Sequence, residues 1–143
     1  VAEVCWSLAS QMAGDAEGAT KVVTVEVEGA VSDAEAATGA RKVAESQLVK
    51  CSWYGQDPYW GRVVSELGSA GIAFDMEKVT VAYGGTVVCR GGVEVDHDRA
   101  AVAKHMDARH LTVTCDLVLG EGKARILTND LTHAYIDENM GTS

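Results

Sequence analysis

The hydrophobic and polar residues of the chain change their spacing several times, and each change predicts a new element. Apolar residues at positions 1, 4, 5, 8 and 12 recur at helical spacing, which predicts a first helix ending near Gly14. Residues 21–28 alternate instead, with Val23, Val25 and Val27 on one side and polar residues on the other. This period of two predicts a strand with one buried and one solvated face.

Two further helices are predicted from capping patterns. Ser32 and Glu35 have the S-x-x-E form of a capping box, so a helix is expected to begin there. Asp57 and Pro58 suit the cap and first residue of the next helix, which would end near Gly68 or Gly71. The residues expected to face the core are Ala36, Ala40, Val43, Ala44 and Leu48 in the first of these helices, and Trp60, Val63, Val64 and Leu67 in the second.

The rest of the chain is predicted to contain two hairpins, from alternating runs, and two short helices. Residues 79–88 surround Gly84 and Gly85, which supply the positive φ angles of a tight turn. Residues 111–119 and 124–128 alternate around a glycine-rich turn and predict the longest hairpin. A short helix is expected at 98–107 and a final one at 131–139, capped by Asp130. The pattern favours an α+β fold, with layered helices and a largely antiparallel sheet, in which residues 1–143 form a single region.

Composition and charge exclude several classes of protein. The 143 residues are 47% hydrophobic, enough for one buried core. The net charge is −9 and the basic residues are scattered, so no nucleic acid is expected as a partner. No apolar run approaches the roughly 20 residues that span a bilayer, so no membrane partner is expected either. The chain begins at Val1, inside a predicted helix and without an initiator methionine, which suggests a processed product or a fragment. The absence of a signal-peptide pattern favours a cytoplasmic protein.

The residues themselves indicate little chemistry in the chain. Cys5, Cys51, Cys89 and Cys115 are widely spaced and are expected to be reduced thiols. Five residues could suggest a metal site, although their spacing matches no ligand motif and solvated side chains are the favoured reading: Asp96, His97, Asp98, His105 and His110. No phosphate-binding loop or nucleophile elbow is present.

Two segments nevertheless call for explanation. Residues 15–21, D-A-E-G-A-T-K, place carboxylates in a loop between a helix and a strand, where side chains can reach a cleft or simply remain solvated. Residues 56–62, Q-D-P-Y-W-G-R, bring an aromatic ring and a cation together at a predicted helix start, which packing explains as readily as binding.

Together these segments resemble signature stretches of the ornithine acetyltransferase (glutamate N-acetyltransferase) family. The first is similar to that family's D-x-E-G-A-T-K loop, and residues 48–62 are similar to its L-V-K…G-x-D-P-N-W-G-R segment. A third similarity runs from Asp116 through Asp130, Leu131 and Thr132 to Asn139. The resemblance covers essentially the whole chain in order.

The resemblance implies a self-processing enzyme of the N-terminal-nucleophile-like αββα type, of which this chain would be the C-terminal part of the β chain. A threonine freed at the start of the β chain would accept an acetyl group from N-acetylornithine and pass it to glutamate. That threonine would lie upstream of Val1, so no catalytic residue is expected here, and no cofactor or metal is implied. The implied partners are the α chain and the upstream part of the β chain, in a heterodimer that assembles further.

The resemblance also implies substrate-binding residues. Glu17 matches a carboxylate that contacts substrate, and a buried carboxylate would suit the side-chain amine of ornithine. Asn139 matches a substrate-binding asparagine, whose amide can serve both a carboxylate and an ammonium. The family's last substrate contact is a terminal Ser or Thr five residues after that asparagine. Here Ser143, or Thr142, would take its place, although Ser143 is only four residues beyond Asn139.

One departure from the family pattern and two other readings stay open. Tyr59 replaces the asparagine that follows proline in the family, which alters either packing or the choice of acyl donor and acceptor, whereas Trp60 and Arg62 are expected to be structural. The alternatives to an acetyltransferase of arginine biosynthesis or secondary metabolism are a non-catalytic partner domain of the same fold and a related self-processing aminopeptidase.

Overall fold

The computed structural model describes residues 21–130. The predicted first helix and final helix, at 1–12 and 131–139, lie outside that range. In chain order the described elements are β1 (Val22–Ala30), α1 (Asp33–Glu45), α2 (Gln47–Tyr54), α3 (Gly61–Gly68), β2 (Thr80–Tyr83), β3 (Thr86–Arg90), β4 (Val93–Glu94), α4 (Arg99–Asp107), β5 (His110–Asp116) and β6 (Gly122–Asn129). None of these helices is long and apolar enough to cross a bilayer.

The strands form one six-stranded sheet in the order β4-β3-β2-β5-β1-β6. Strands β1 and β5 run parallel, and every other neighbouring pair is antiparallel. The α+β class with a largely antiparallel sheet is therefore confirmed. The β2–β3 hairpin is confirmed as well, with Gly84 and Gly85 at φ 59° and 85° in its turn.

The predicted long hairpin is wrong, because β5 and β6 are not neighbours. Strand β1 lies between them, so that Val25 is opposite Val113 on one side and Ile126 on the other. Strand β5 ends at Asp116, and the amides of Leu117 and Leu119 donate to main-chain oxygens at the end of β1, at 2.9 and 2.7 Å. The connection therefore crosses the end of β1, and the two strands flank β1 as the halves of a split hairpin.

The apolar side of β1 carries the core. Val23, Val25 and Val27 are fully buried, as their alternation predicts. Helix α1 packs closely there, since a Cβ on Gly39 would lie 4.0 Å from Val27 Cγ1. The other buried core residues, apart from alanine and cysteine, are Val43, Val49, Trp53, Val63, Val64, Leu67, Val79, Val81, Tyr83, Val88, Val102, Met106, Leu111, Val113 and Leu117.

The helix starts agree with the predictions in two cases out of three. Ser32 Oγ accepts from the Glu35 amide at 3.1 Å, and Asp98 Oδ1 accepts from the Ala101 amide at 3.0 Å. The third helix, α3, begins at Gly61 rather than at Pro58. Asp57 Oδ1 instead accepts from the Tyr59 amide at 3.0 Å, which closes a separate turn before the helix.

Helix α2 was not predicted as an element of its own. Ser46 ends α1 and its hydroxyl also accepts from the Val49 amide at 3.3 Å, so one residue caps two successive helices. The expectation that Leu48 is buried is wrong, because it lies on the outer side of this new helix and is 63% exposed.

Candidate functional site

The three residues predicted to bind substrate, Glu17, Asn139 and Ser143, lie outside the described residues. The structure instead describes two residues from the same motifs. Lys21 follows Glu17 by four positions, and Asp130 precedes Asn139 by nine. These two residues mark where the segments that carry the predicted contacts join the described fold.

Lys21 is a buried lysine just before β1, with 6% of its surface exposed. Its Nζ donates to the carbonyl oxygens of Met106 at 2.7 Å and Ala108 at 2.9 Å. These carbonyls belong to the last turn and the C-cap of α4, where the helix dipole concentrates negative partial charge. The ammonium group is therefore hydrogen-bonded at a position that favours positive charge.

The main chain of Lys21 is held by the end of β6. Its amide donates to Asp130 Oδ1 at 3.0 Å, and Asn129 Nδ2 donates to its carbonyl oxygen at 3.3 Å. Asp130 is only 3% exposed, so the first of these bonds is shielded from water. Lys21, the last residue of the D-x-E-G-A-T-K stretch, and Asp130, from the C-terminal motif, therefore meet at one end of the sheet, although they are more than a hundred residues apart in sequence.

An open depression of about 530 Å³ lies at this end of the sheet. The described residues that line it are Lys21, Tyr54, Gln56, Asp107, Ala108 and Arg109. Two of these residues are bonded to each other, since Gln56 Nε2 donates to Asp107 Oδ1 at 3.3 Å. Because Tyr54 and Gln56 belong to the second signature segment, the structure brings described residues of all three motifs to one place.

His105 lies close to this region. Burial lowers the pKa of its imidazole below the ordinary value of 6.5, and the positive charge of Lys21 acts in the same direction. The Thr112 amide donates to His105 Nε2 at 3.0 Å, a bond that requires an unprotonated nitrogen. His105 is therefore a structural, neutral histidine that joins α4 to β5.

The aromatic and basic residues of the second segment have structural roles. Arg62 Nη1 donates to the Leu48 carbonyl oxygen at 3.0 Å, and the Trp60 ring packs against the core. Tyr59 is 51% exposed, with its ring 5.4 Å from that of Trp60. The structural interpretation of Trp60 and Arg62 is therefore favoured.

Other titratable groups are sealed in the core. Burial raises the pKa of the Tyr83 phenol well above its usual range, opposed in part by the neighbouring Trp53 indole. Burial likewise raises the pKa of Cys115 to about 12 and that of Cys89 above its ordinary value. Thiols with raised pKa values are poor nucleophiles, so neither cysteine suits catalysis. Cys51, Cys89 and Cys115 are all free thiols.

Within residues 21–130, no group of three or more His, Cys, Asp and Glu side chains is arranged to hold a metal ion. His97 Nδ1 lies 2.7 Å from the Val95 carbonyl oxygen, and His105 accepts the Thr112 amide. These two histidines, singled out in the sequence, therefore have local partners.

Comparison with known structures defines the class of protein first. The chain superposes on a crystal structure of the arginine biosynthesis bifunctional protein ArgJ from Bacillus halodurans with a TM-score of 0.91 and 33% identity. The match covers 97% of this chain and 66% of that one. The fold is therefore that of an arginine-biosynthesis protein.

Sequence comparison then identifies the family. The ArgJ family description matches residues 1–141, so the chain belongs to the ArgJ family. The arginine biosynthesis bifunctional protein ArgJ of Thermobifida fusca is 45% identical over 99% of this chain. That of Mycobacterium tuberculosis is 42% identical over the full length of this chain. The chain spans only 36% and 35% of the lengths of these two relatives. The family expected from the signature motifs is confirmed.

Lys21 and Asp130 were not singled out as interacting residues by the sequence. The sequence identifies Lys21 only as the last residue of a motif, and Asp130 only as a predicted helix cap. The available sign was a lysine directly before a strand of buried valines. Lysine is almost never fully buried without partners, so a lysine at such a position is expected to have them.

Proposed function

We propose that the complete protein is a glutamate N-acetyltransferase and that this chain supplies part of its substrate site. The threonine hydroxyl oxygen, upstream of this chain, forms an ester with the acetyl carbonyl carbon while the amide C–N bond of N-acetylornithine breaks. Ornithine leaves with the threonine proton. The amine of glutamate then attacks the ester, so that N-acetylglutamate forms and the threonine hydroxyl is restored.

The observation that carries this proposal is that described residues from the three signature segments lie at or beside one depression. Lys21, Tyr54 and Gln56 line it, and Asp130 is bonded to Lys21. Ligand sites commonly lie in such concave regions with a few polar groups. Membership of the ArgJ family and the arginine-biosynthesis names of the relatives support the same reaction.

Within this proposal Glu17 binds the ammonium of the ornithine side chain, and Asn139 and Ser143 bind its amino-acid end. Four residues of extended chain span at most about 14 Å, so Glu17 is within that reach of Lys21 and of the depression. A carboxylate within hydrogen-bond distance of an ammonium forms a charge-assisted bond, which is stronger than a neutral one.

The proposal includes the partners and the location. The chain lacks the proposed nucleophile, so the α chain and the upstream part of the β chain must complete the site, in a heterodimer that assembles further. The reaction as proposed takes place in the cytoplasm, where arginine precursors and reduced thiols such as the three free cysteines would be found together.

The test is acetyl transfer from N-acetylornithine to glutamate by the complete, processed protein. We expect Glu17→Gln to raise the KM for N-acetylornithine by about tenfold or more, because an uncharged amide replaces the partner of an ammonium. The matched control is Glu121→Gln, which removes an exposed carboxylate in the β5–β6 connection and should leave KM unchanged.

Two results would overturn the proposal. Absence of acetyl transfer by a folded and complete assembly would favour the non-catalytic partner domain. Hydrolysis of peptides from their amino ends, without acetyl transfer, would favour the aminopeptidase. An equal response of KM to Glu17→Gln and Glu121→Gln would remove Glu17 from the substrate site while leaving the reaction itself intact.

A further inference from the structure

We propose that Lys21 is a positioning residue: its hydrogen bonds fix the start of β1 relative to the ends of β6 and α4. The proposed substrate contacts Glu17 and Asn139 are connected through the chain to the first two of these. This inference rests on the proposed function. The Lys21 anchor is the set formed by Lys21, Met106, Ala108, Asn129 and Asp130, which are joined by four hydrogen bonds.

The anchor joins three parts of the fold. The ammonium of Lys21 holds the last turn and C-cap of α4 through the carbonyl oxygens of Met106 and Ala108. The peptide groups of Lys21 hold the end of β6 through Asn129 and Asp130. One residue therefore sets the relative position of α4 and the facing ends of β1 and β6.

The location of the anchor points to function. Lys21 directly follows the segment that carries Glu17, and Asp130 directly precedes the one that carries Asn139. The Lys21 amide donates to Asp130 Oδ1 at 3.0 Å, so the residue that follows one segment is bonded to the residue that precedes the other. Because misplacement of a binding group by about 1 Å can reduce activity a hundredfold, a loosened anchor should affect substrate binding.

The choice of lysine also favours positioning over simple packing. Burial of an ammonium is unfavourable unless its donors find partners, whereas a methionine of similar length would fill the space without that requirement. The donors of Lys21 Nζ are directed at two particular carbonyl oxygens, at 2.7 and 2.9 Å. Directional bonds of this kind specify geometry, which an apolar side chain does not.

The first test compares Lys21→Met with Val64→Ala in the complete, processed protein. Val64 is 1% exposed and lies in α3, outside the anchor, so its truncation destabilises the fold without touching the bonds of Lys21. Both variants are assayed for acetyl transfer well below their Tm. We expect Lys21→Met to raise the KM for N-acetylornithine and for glutamate by about tenfold, with a smaller change in kcat.

The control gives the contrasting result if the inference is right: Val64→Ala lowers Tm and leaves both KM values as in the wild type. The inference is overturned if Lys21→Met shows wild-type KM values, or if the two variants change KM in proportion to their loss of Tm. In the second case Lys21 would act through stability alone.

A second pair of variants keeps the inference testable if Lys21→Met does not fold. Asp130→Asn retains a side-chain oxygen that can accept the Lys21 amide, whereas Asp130→Ala removes it. We expect wild-type KM values for Asp130→Asn and a rise of about tenfold for Asp130→Ala. Equal KM values for these two variants would contradict a positioning role for this bond.

Combination with Glu17→Gln separates this inference from the proposed function. If the anchor acts by placing both Glu17 and Asn139, then Lys21→Met should raise the KM for N-acetylornithine by a smaller factor in a Glu17→Gln background than in the wild type, because the part that depends on Glu17 is already lost. Full additivity would overturn the inference. If Glu17→Gln alone leaves that KM unchanged, the assignment of Glu17 fails first. If Glu17→Gln raises it and Lys21→Met does not, only the anchor fails.

Discussion

The split hairpin leaves very little space where β6 begins, and Gly122→Ala tests that arrangement. Gly122 is opposite Ala30 in the β1–β6 pairing and is buried. A Cβ at this position would collide with the carbonyl group of Ser32 and lie 2.8 Å from its Cα. The obstacle is main chain rather than a flexible side chain, so Ser32 would have to move.

The size of the effect follows from the role of Ser32, which is the N-cap of α1. Forcing an extra carbon into a packed site typically costs about 1–3 kcal/mol, and loss of an N-cap costs about 1 kcal/mol more. We therefore expect Gly122→Ala to lower the free energy of unfolding by about 2–4 kcal/mol.

The assay is urea denaturation of the complete protein, with two control variants. Ser32→Ala removes only the capping hydroxyl and should lower the free energy of unfolding by about 1 kcal/mol. Gly85→Ala adds a Cβ that has nothing within 4 Å, at φ 85°, and should cost about 1 kcal/mol from backbone conformation alone. The reasoning is refuted if Gly122→Ala is no more destabilising than Gly85→Ala.

Three further predictions follow from burial. Because the pKa of His105 is lowered in the folded protein, the unfolded chain binds a proton first as pH falls below 6.5. The contribution of neutral His105 to the free energy of unfolding is therefore complete above pH 6.5 and is lost at lower pH. Urea midpoints measured above and below pH 6.5 should show this loss of stability. In His105→Gln the side-chain oxygen can still accept the Thr112 amide, so the loss at low pH should be smaller than in the wild type. Alkylation followed by peptide mass spectrometry should leave Cys115 unmodified in the native protein and label it in urea, and labelling in the native state would contradict its burial. Leu67→Ala should cost about 2–5 kcal/mol in denaturation experiments, against less than about 0.5 kcal/mol for the exposed Leu48→Ala. Similar losses for the two leucines would contradict their assigned burial.

The elements that depend on local pattern could be predicted from the sequence. The alternation of Val23, Val25 and Val27 gave the strand and its buried face, and Ser32 and Asp98 marked two helix starts. These features depend on residues close together in the chain, so the physical causes lie within the window that a sequence pattern covers.

The errors arose where distant residues decide the outcome. The runs around residues 111–128 looked like a hairpin, since nothing local reveals that β1 lies between them. Leu48 was assigned to the core because Ser46 was not recognised as the boundary between two helices. The eight-residue helix α2 has only Val49 and Trp53 as fully buried apolar residues, spaced four apart, which is a weak pattern.

The same distinction between local and distant causes applies to the candidate site. The signature motifs led to the correct family, because they are collinear and specific. The meeting of Lys21 with Asp130, Met106 and Ala108 could not be predicted, since it depends on β1 pairing with β6 and on α4 ending beside β1. Glu17, Asn139 and Ser143 stay predictions.

The most direct test of the central claim is the intact mass of every polypeptide in the complete assembly, before and after incubation with N-acetylornithine. The acetyltransferase account predicts that a companion chain beginning with threonine gains one acetyl group and loses it when glutamate is added. A folded, complete assembly in which no chain gains the acetyl group would contradict the account.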